Sequence, residues 1–469
     1  MSRQGSPTDT SAVSGSSDTH SLAQHKTPIR RLLHGSAWSV AQNVVRTAVS
    51  LVSVPLTVGK LGTERYGLWM LGLSVASLMS SMDAGLSPLL MNRLAESHAR
   101  NDKNAFDRYV RAATTLCCGL MILSILASVL VGALDWPHIA NVHEGLAARE
   151  SRPLMVVVIL AGMLGISLTP LENVLSARLD IVFPRVCSFV ASLASFGLLL
   201  LGLWLNVSLP VLAGMVGVPL SGYRLFLIPR VLRTAGSRNL IPDWHEFRQV
   251  LRELLPSSVW FMLIGGACAA SGFIPNVLAA RYFGLGAVSV LSISMRLVSL
   301  PVSVLAAVLP NFWPAFTVAW HRGDITGLRR MLGWACGLTA LALGLSCAVI
   351  TIIGPWFVVA WTRGRIQVGA GLLFVLGCWA ISQGILNWFS TFLHSITDLR
   401  FEAVTWIGTA LLVGIVLRLV APAGSMVLFC LVISGTSIFV GTIPLALRVL
   451  WWLRTGYRHE THDMGPTGS

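Results

Sequence analysis

The chain has 469 residues, 54% of them apolar and only 12% charged, with a mean hydropathy of +0.72. A soluble globular protein of this length carries about twice that share of charge, so an ordinary soluble domain is excluded. Its 34 Lys and Arg against 20 Asp and Glu leave a net charge of +14, but no sizeable soluble segment exists to present that charge to nucleic acid. The N-terminal stretch 1–30 is rich in Ser, Thr, Gly and Asp without an apolar run, and reads as a disordered tail rather than a signal peptide.

From Ser36 to Leu447 apolar segments follow one another, each long enough to cross a bilayer. A hydrocarbon core about 30 Å thick takes about 20 residues of helix, and only a helix satisfies its own backbone there without a barrel. The predicted spans are 36–58, 66–90, 110–134, 153–177, 185–205, 209–229, 257–280, 286–312, 331–354, 369–392, 403–420 and 424–447. The expected fold is therefore an all-α polytopic membrane protein of about twelve transmembrane helices. Residues 31–229 form a first six-helix bundle, 230–256 a linker, 257–447 a second bundle and 448–469 a tail.

Basic residues orient this map. The loops 91–109, 230–256 and 313–330 are rich in Arg and Lys, whereas the opposite loops hold Lys60, Arg65, Arg149, Arg152, Arg281, Arg363 and Arg365. By the positive-inside rule both termini and the linker are cytoplasmic. Trp136, Trp204, Trp313, Trp356, Trp451 and Trp452 fall near span ends as interfacial anchors. All eight Cys lie in apolar spans without metal-ligand spacing and read as small buried hydrophobes; no metal or cofactor is implied.

The chain also resembles itself at one constant offset in numbering, 222. "GKLG" at 59–62 sits over "RYFG" at 281–284, "ARND" at 99–102 over "HRGD" at 321–324, and Trp38 over Trp260. Six spans per unit is an even number, so the two bundles are parallel repeats related by an axis along the membrane normal. Two such bundles enclose a central cavity that rocking exposes to each side in turn.

Charge inside a span is costly, by about 2.5–3.5 kcal/mol on insertion scales, and marks functional candidates. In the first span Arg46 lies four residues from Gln42 and three from Asn43, which makes a polar helix face. That face is either a cavity wall able to hold a diphosphate or an internal brace. Arg296, deep in the eighth span, is a second diphosphate candidate from the other bundle, or a partner for an acid such as Asp83. Asp83 and Glu172 are candidates for ion coupling or for pairing with Arg, Asp83 equally for a structural role at the helix end and Glu172 beside a helix break at Pro170. Arg224 and Arg418 lie late in their spans, where snorkelling to the interface is the plain reading.

The stretch 54–97, "VPLTVGKLGTERYGLWMLGLSVASLMSSMDAGLSPLLMNRLAES", resembles the start of bacterial polysaccharide-export flippases of the multidrug/oligosaccharidyl-lipid/polysaccharide exporter superfamily. The resemblance is carried by Leu61, Gly62, Glu64, Tyr66, Gly67, Leu68 and Trp69, then Asp83, Gly85, Leu86, Ala95 and Glu96. It implies a flippase moving a polyprenyl-diphosphate-linked oligosaccharide across the inner membrane for O-antigen or exopolysaccharide synthesis. Its implied partners are that glycan, membrane lipids, and polysaccharide polymerase and chain-length machinery. The alternative is a drug or small-solute antiporter of the same superfamily. An enzyme is disfavoured, because the longest internal connection, 230–256, holds no acid pair or His cluster, and no "GxxxxGK[ST]" occurs for ATP hydrolysis.

Overall fold

The computed structural model describes residues 17–455 except 82–85, 101, 140–144, 179, 181, 235–243, 307–308, 310–311, 313–315, 318, 321, 397 and 424; side chains before Val45, and those of Arg46, Ser80, Pro88, Asn92, Ala95, His98, Ala99, Thr234, Ser257 and Ala423, are also outside the description. Every regular element among the described residues is helical. Helix α1 (Ser17–Ser80) carries the first predicted span and the second as far as Ser80, and changes direction where Gly62 takes φ +81°, which a residue with a Cβ rarely adopts. It begins inside the stretch expected to be a tail. Then come α2 (Leu86–Ala99), α3 (Lys103–Gly132), the single turn α4 (Trp136–Ile139), α5 (Gly145–Ser167) and α6 (Thr169–Ala177). The break between α5 and α6 falls where Pro170 enters the first turn of α6, as the sequence anticipates. Next are α7 (Val182–Trp204), α8 (Leu209–Gly222), the 3-10 turn Tyr223–Leu227 and α9 (Ile228–Thr234).

The second half opens with α10 (Trp244–Phe283), α11 (Leu285–Ala306), α12 (Ile325–Trp361), α13 (Ala370–Ser395) and α14 (Leu399–Val420). The last span is α15 (Met426–Thr436), a π-helical turn Ser437–Thr442 and α16 (Ile443–Thr455). Ten helical runs among the described residues, from Lys103–Gly132 to Met426–Thr455, are long and apolar enough to cross a membrane. With the two limbs of α1 this gives about twelve spans: a multi-pass, all-α membrane protein. Stripes at helical spacing such as Ile122, Leu126 and Leu130, or Leu338, Leu341 and Leu345, are exposed, as a lipid-facing surface requires.

Three expectations change. Part of the supposed linker is helical, because Val250 and Leu254 give residues 244–256 an apolar face that packs on the first half. Trp136 is not an interfacial anchor: it is buried, and its indole N–H donates to the Val131 carbonyl at 2.7 Å. Cys118 and Cys268 are exposed rather than buried, since they lie on sides of α3 and α10 that the cores leave uncovered. Trp204 and Trp356 are exposed, Trp452 donates to Asp398, and Trp313 is outside the described residues.

The internal repeat is visible in the backbone. Gly62 and Gly284, matched by the offset read from the sequence, have φ of +81° and +83° at the same bend in each half. Asp102 caps α3 by accepting from the Ala105 amide, and Asp324 caps α12 by accepting from the Gly327 amide. Later in each half a clamp recurs at an offset of 218. Arg230 binds Asp180 at 2.7 Å and lies over Phe183; Arg448 binds Asp398 at 2.7 Å and lies over Phe401. Both clamps sit on the face of the chain termini, so the halves run in the same sense.

Buried apolar side chains form three cores. Toward the face bearing the chain termini, here the terminal face, the first half has its own core around Leu94, Phe106 and Val174. The second half has another around Phe316, Phe392 and Trp406. At the opposite, distal face one core runs through both halves, from Val58 and Tyr66 through Trp136 and Leu209 to Leu285, Ile366 and Phe429. The halves are sealed to each other distally and have separate cores at the terminal face.

The seal depends on close approach. A Cβ on Gly67 would lie 2.0 Å from the Leu285 carbonyl oxygen in the other half. Gly67→Val should therefore separate α1 from α11. In a cysteine-free background, Thr63→Cys should react faster with a membrane-impermeant thiol reagent when Gly67→Val is added; an unchanged rate would contradict the seal.

Candidate functional site

The motif "LGTERYGLW" builds the distal seal residue by residue. Gly62 makes the bend, and Tyr66, Leu68 and Trp69 are buried. Arg65 forks onto Glu150 with two bonds of 2.8 Å, and Glu150 also accepts from the Leu209 amide at the start of α8 at 3.0 Å. Three distal connections of the first half are thus tied by one buried carboxylate, whose charge the helix N-terminus also favours. Across the halves the Ser289 hydroxyl donates to the Thr63 carbonyl, Arg365 donates to the Val58 carbonyl at 3.0 Å, and the Trp361 indole to the Leu51 carbonyl at 3.2 Å.

Beneath this seal is Arg296. It is half-buried in α11, donates to the Ser50 carbonyl of α1 at 3.4 Å, and is within electrostatic reach of the buried Tyr66 hydroxyl. Toward the described residues this one hydrogen bond leaves most of the guanidinium's five N–H groups for other acceptors. Position 46 lies one helical turn from Ser50, and positions 42 and 43 a further turn along α1. The side chains of Arg46, Gln42 and Asn43 are outside the described residues, as is Asp83. The Arg296 guanidinium, from the second half, thus touches α1 about one helical turn from position 46 of the first half.

Glu172 sits in a hydrogen-bonded cluster. It accepts from the Tyr223 hydroxyl at 3.0 Å and from Arg224 Nε at 3.2 Å, with Arg185 at 3.8 Å. Arg224 turns inward to this acid instead of snorkelling, because α6 brings Glu172 within its reach. Asn173 adds a bond to the Ser87 carbonyl. Arg418 is exposed near the distal end of α14, in line with an interfacial position.

One acidic site escaped sequence reasoning. Glu402, in the first turn of α14, is 1% exposed and lies 3.0 Å from His394 in the last turn of α13. The predicted spans end at 392 and resume at 403, so both residues fell just outside them. No group of three His, Cys, Asp or Glu able to hold a metal gathers among the described residues.

Comparison with known proteins agrees with this architecture. An inward-facing multidrug-resistance MATE transporter of the MOP superfamily matches with TM-score 0.63 at 16% identity, covering 90% of this chain and 99% of that one. The chain has the fold of the MOP-superfamily transporters. The inward-closed lipid II flippase MurJ matches with TM-score 0.65 at 12% identity, over 88% of this chain and 87% of its own. An outward-facing MATE transporter gives 0.57 at 14% identity, over 91% of this chain and 97% of its own. No family model matches. In sequence, a putative O-antigen transporter of Salmonella typhimurium is 26% identical over 120 residues; the match spans 25% of this chain and 27% of that relative. The MOP fold is the one that the motif at 54–97 implies.

Removing the Glu172 carboxylate leaves two guanidiniums uncompensated. Glu172→Gln should lower folding stability by about 1–3 kcal/mol, seen as a lower melting temperature in detergent, while any ion dependence of transport stays intact. Loss of ion dependence at unchanged stability would assign Glu172 to coupling instead.

Proposed function

We propose that the protein is a flippase that carries a polyprenyl-diphosphate-linked oligosaccharide across the bacterial inner membrane for surface polysaccharide synthesis. The observation that carries this reading is Arg296, a guanidinium placed between the halves beneath the distal seal, one turn of α1 away from the position of Arg46. A fixed cation at that depth is expensive unless it meets an anion or structured dipoles. A diphosphate supplies oxygens in the geometry that guanidinium forks match.

With the termini cytoplasmic, the distal seal faces the periplasm, and the separate terminal-face cores belong to a cytoplasm-facing state. The headgroup and glycan then enter between the halves while the polyprenyl tail stays in lipid. Opening the distal seal as the terminal face closes delivers the headgroup outward. Residues 31–229 and 257–447 are the two bodies that rock. The short match to a putative O-antigen transporter supports the glycan class, and a polymerase with its chain-length machinery would receive the product.

A second reading, a drug or small-solute antiporter, is favoured by the coverage of the MATE structures. Arginine at the site argues against a cationic drug.

The test is transfer of labelled polyprenyl-diphosphate oligosaccharide across proteoliposomes. A charge-assisted hydrogen bond contributes about 1.5–3 kcal/mol, so Arg296→Ala and Arg46→Ala should each slow transfer about ten- to a hundredfold, with Arg296→Lys partly active. Transfer by the intact protein that neither alanine variant slows removes the arginines from the mechanism. Export of a small cationic dye without lipid transfer selects the antiporter.

A further inference from the structure

The distal seal encloses a hydrogen-bond donor that its contacts leave unused. Tyr66 is 1% exposed, and among the described residues its hydroxyl has no hydrogen-bond partner. Other side-chain donors around it are matched: Arg65 donates to Glu150, Ser289 to the Thr63 carbonyl, Trp361 to the Leu51 carbonyl and Arg365 to the Val58 carbonyl. A hydroxyl that loses water on burial and gains no partner disfavours the state that buries it, by about tenfold. A phenyl ring would fill the same space without that penalty. The hydroxyl contributes nothing to the sealed state, so its use belongs to another state.

Its place in the fold shows which group can use it. Tyr66 follows Thr63 by about one turn of α1 and adjoins Gly67, whose Cβ would meet the Leu285 carbonyl. On the facing helix Arg296 lies about two turns beyond Ser289, the residue bonded to the Thr63 carbonyl. The phenol therefore stands between the seam bond and the guanidinium, within electrostatic reach of the latter. A guanidinium has donors only. Arg296 donates to the Ser50 carbonyl at 3.4 Å and not to the phenol oxygen. Two neighbouring groups that both offer hydrogens, with no acceptor shared between them, call for one acceptor carrying several oxygens. A phosphate group fits that description, and the positive charge of the guanidinium favours it further.

We infer that the Tyr66 hydroxyl is a headgroup latch: it bonds a phosphate oxygen held by Arg296 only when the distal seal opens, so that a loaded protein opens more readily than an empty one. This inference rests on the reading of the protein as a flippase for a diphosphate-linked lipid. In the sealed state the phenol is packed in the distal core and no headgroup oxygen reaches it. As α1 and α11 part at Gly67, the hydroxyl is uncovered on the distal side of the guanidinium. The phosphate then gains a second donor. A ligand shifts a conformational equilibrium only by binding one state better than the other. Arg296 meets the headgroup in both states, whereas the phenol is available in one. A charge-assisted hydrogen bond of this kind moves the balance toward the open state about ten- to a hundredfold.

The experiment uses the full chain in proteoliposomes, with Thr63→Cys in a cysteine-free background as reporter and polyprenyl diphosphate as probe. A membrane-impermeant thiol reagent is added on the distal side. With Tyr66 present, the probe should speed labelling at least about tenfold. In Tyr66→Phe the probe should bind with nearly the same affinity, since the sealed state does not use the phenol, yet leave the labelling rate unchanged. Arg296→Ala should lose the binding itself. Melting in detergent without probe gives an independent readout. Tyr66→Phe should melt no lower than the parent chain, because the hydroxyl it removes is unmatched in the sealed state. A probe-driven rise in labelling that survives in Tyr66→Phe overturns the proposal. So does a lower melting temperature or failure to fold in Tyr66→Phe, since the hydroxyl would then already hold the sealed state together. Binding lost in Tyr66→Phe as completely as in Arg296→Ala overturns it too. A parent chain that binds no probe defeats the flippase reading and the latch with it; one that binds the probe through Arg296 without faster labelling defeats the latch alone.

Discussion

Everything in this molecule depends on how closely two helix backbones approach at the distal face. Gly67 lets α1 meet the Leu285 carbonyl with no side chain between them, and the bonds from Ser289, Arg365 and Trp361 to α1 carbonyls complete the contact. In a membrane no hydrophobic effect drives helices together, so close packing and satisfied polar groups must hold them. Such a seam is strong when closed and has no partly open geometry, because a backbone carbonyl cannot slide past another backbone gradually. Two packed bodies joined by such a seam favour discrete states over a continuum.

The same seam explains why the site lies where it does. Arg296 touches α1 just beneath the seam, and the cores separate below it. A ligand held there is closed off from one side of the membrane by packing alone. Around it the fixed acids divide into two kinds. Glu150 and Glu172 are clasped by arginines and hold helices in register, whereas Glu402 faces the His394 imidazole at 3.0 Å.

Much of this was legible in the sequence, for identifiable reasons. Span count and the all-α class followed from hydropathy, since the bilayer imposes helix length on any apolar run. The offset of 222 was legible because bends and caps demand particular residues: Gly at 62 and 284, Asp at 102 and 324. The second offset of 218 was hidden, because an Asp–Arg clamp is a contact between residues about 50 apart and leaves no local pattern. Arg296 was found because charge inside an apolar run is conspicuous. Glu402 and His394 were missed because they sit one or two residues beyond the drawn ends of their spans, where charge is unremarkable until packing shows it buried. The motif at 54–97 was readable as a resemblance, but its role in the seam was not, since its partners, Leu285 and Ser289, lie in the other half of the chain.

Helix α10 joins the two halves in an unusual way. Its first turns belong to the core of the first half through Val250 and Leu254, while Ile264 and Ala267 belong to the core of the second. Between them stands Pro256, which removes one backbone hydrogen bond within the 40-residue helix, as Pro275 does nearer its far end. The stretch beyond Pro256 is a lever about 40 Å long at 1.5 Å per residue. A change of about 10° at the proline, well within the kinks that prolines produce, sweeps its far end by about 7 Å. A rod hinged near one membrane surface converts a small torsion there into a displacement at the other the width of a sugar ring. The joint between the halves then serves as their transmission, setting the stroke of the cycle by its length.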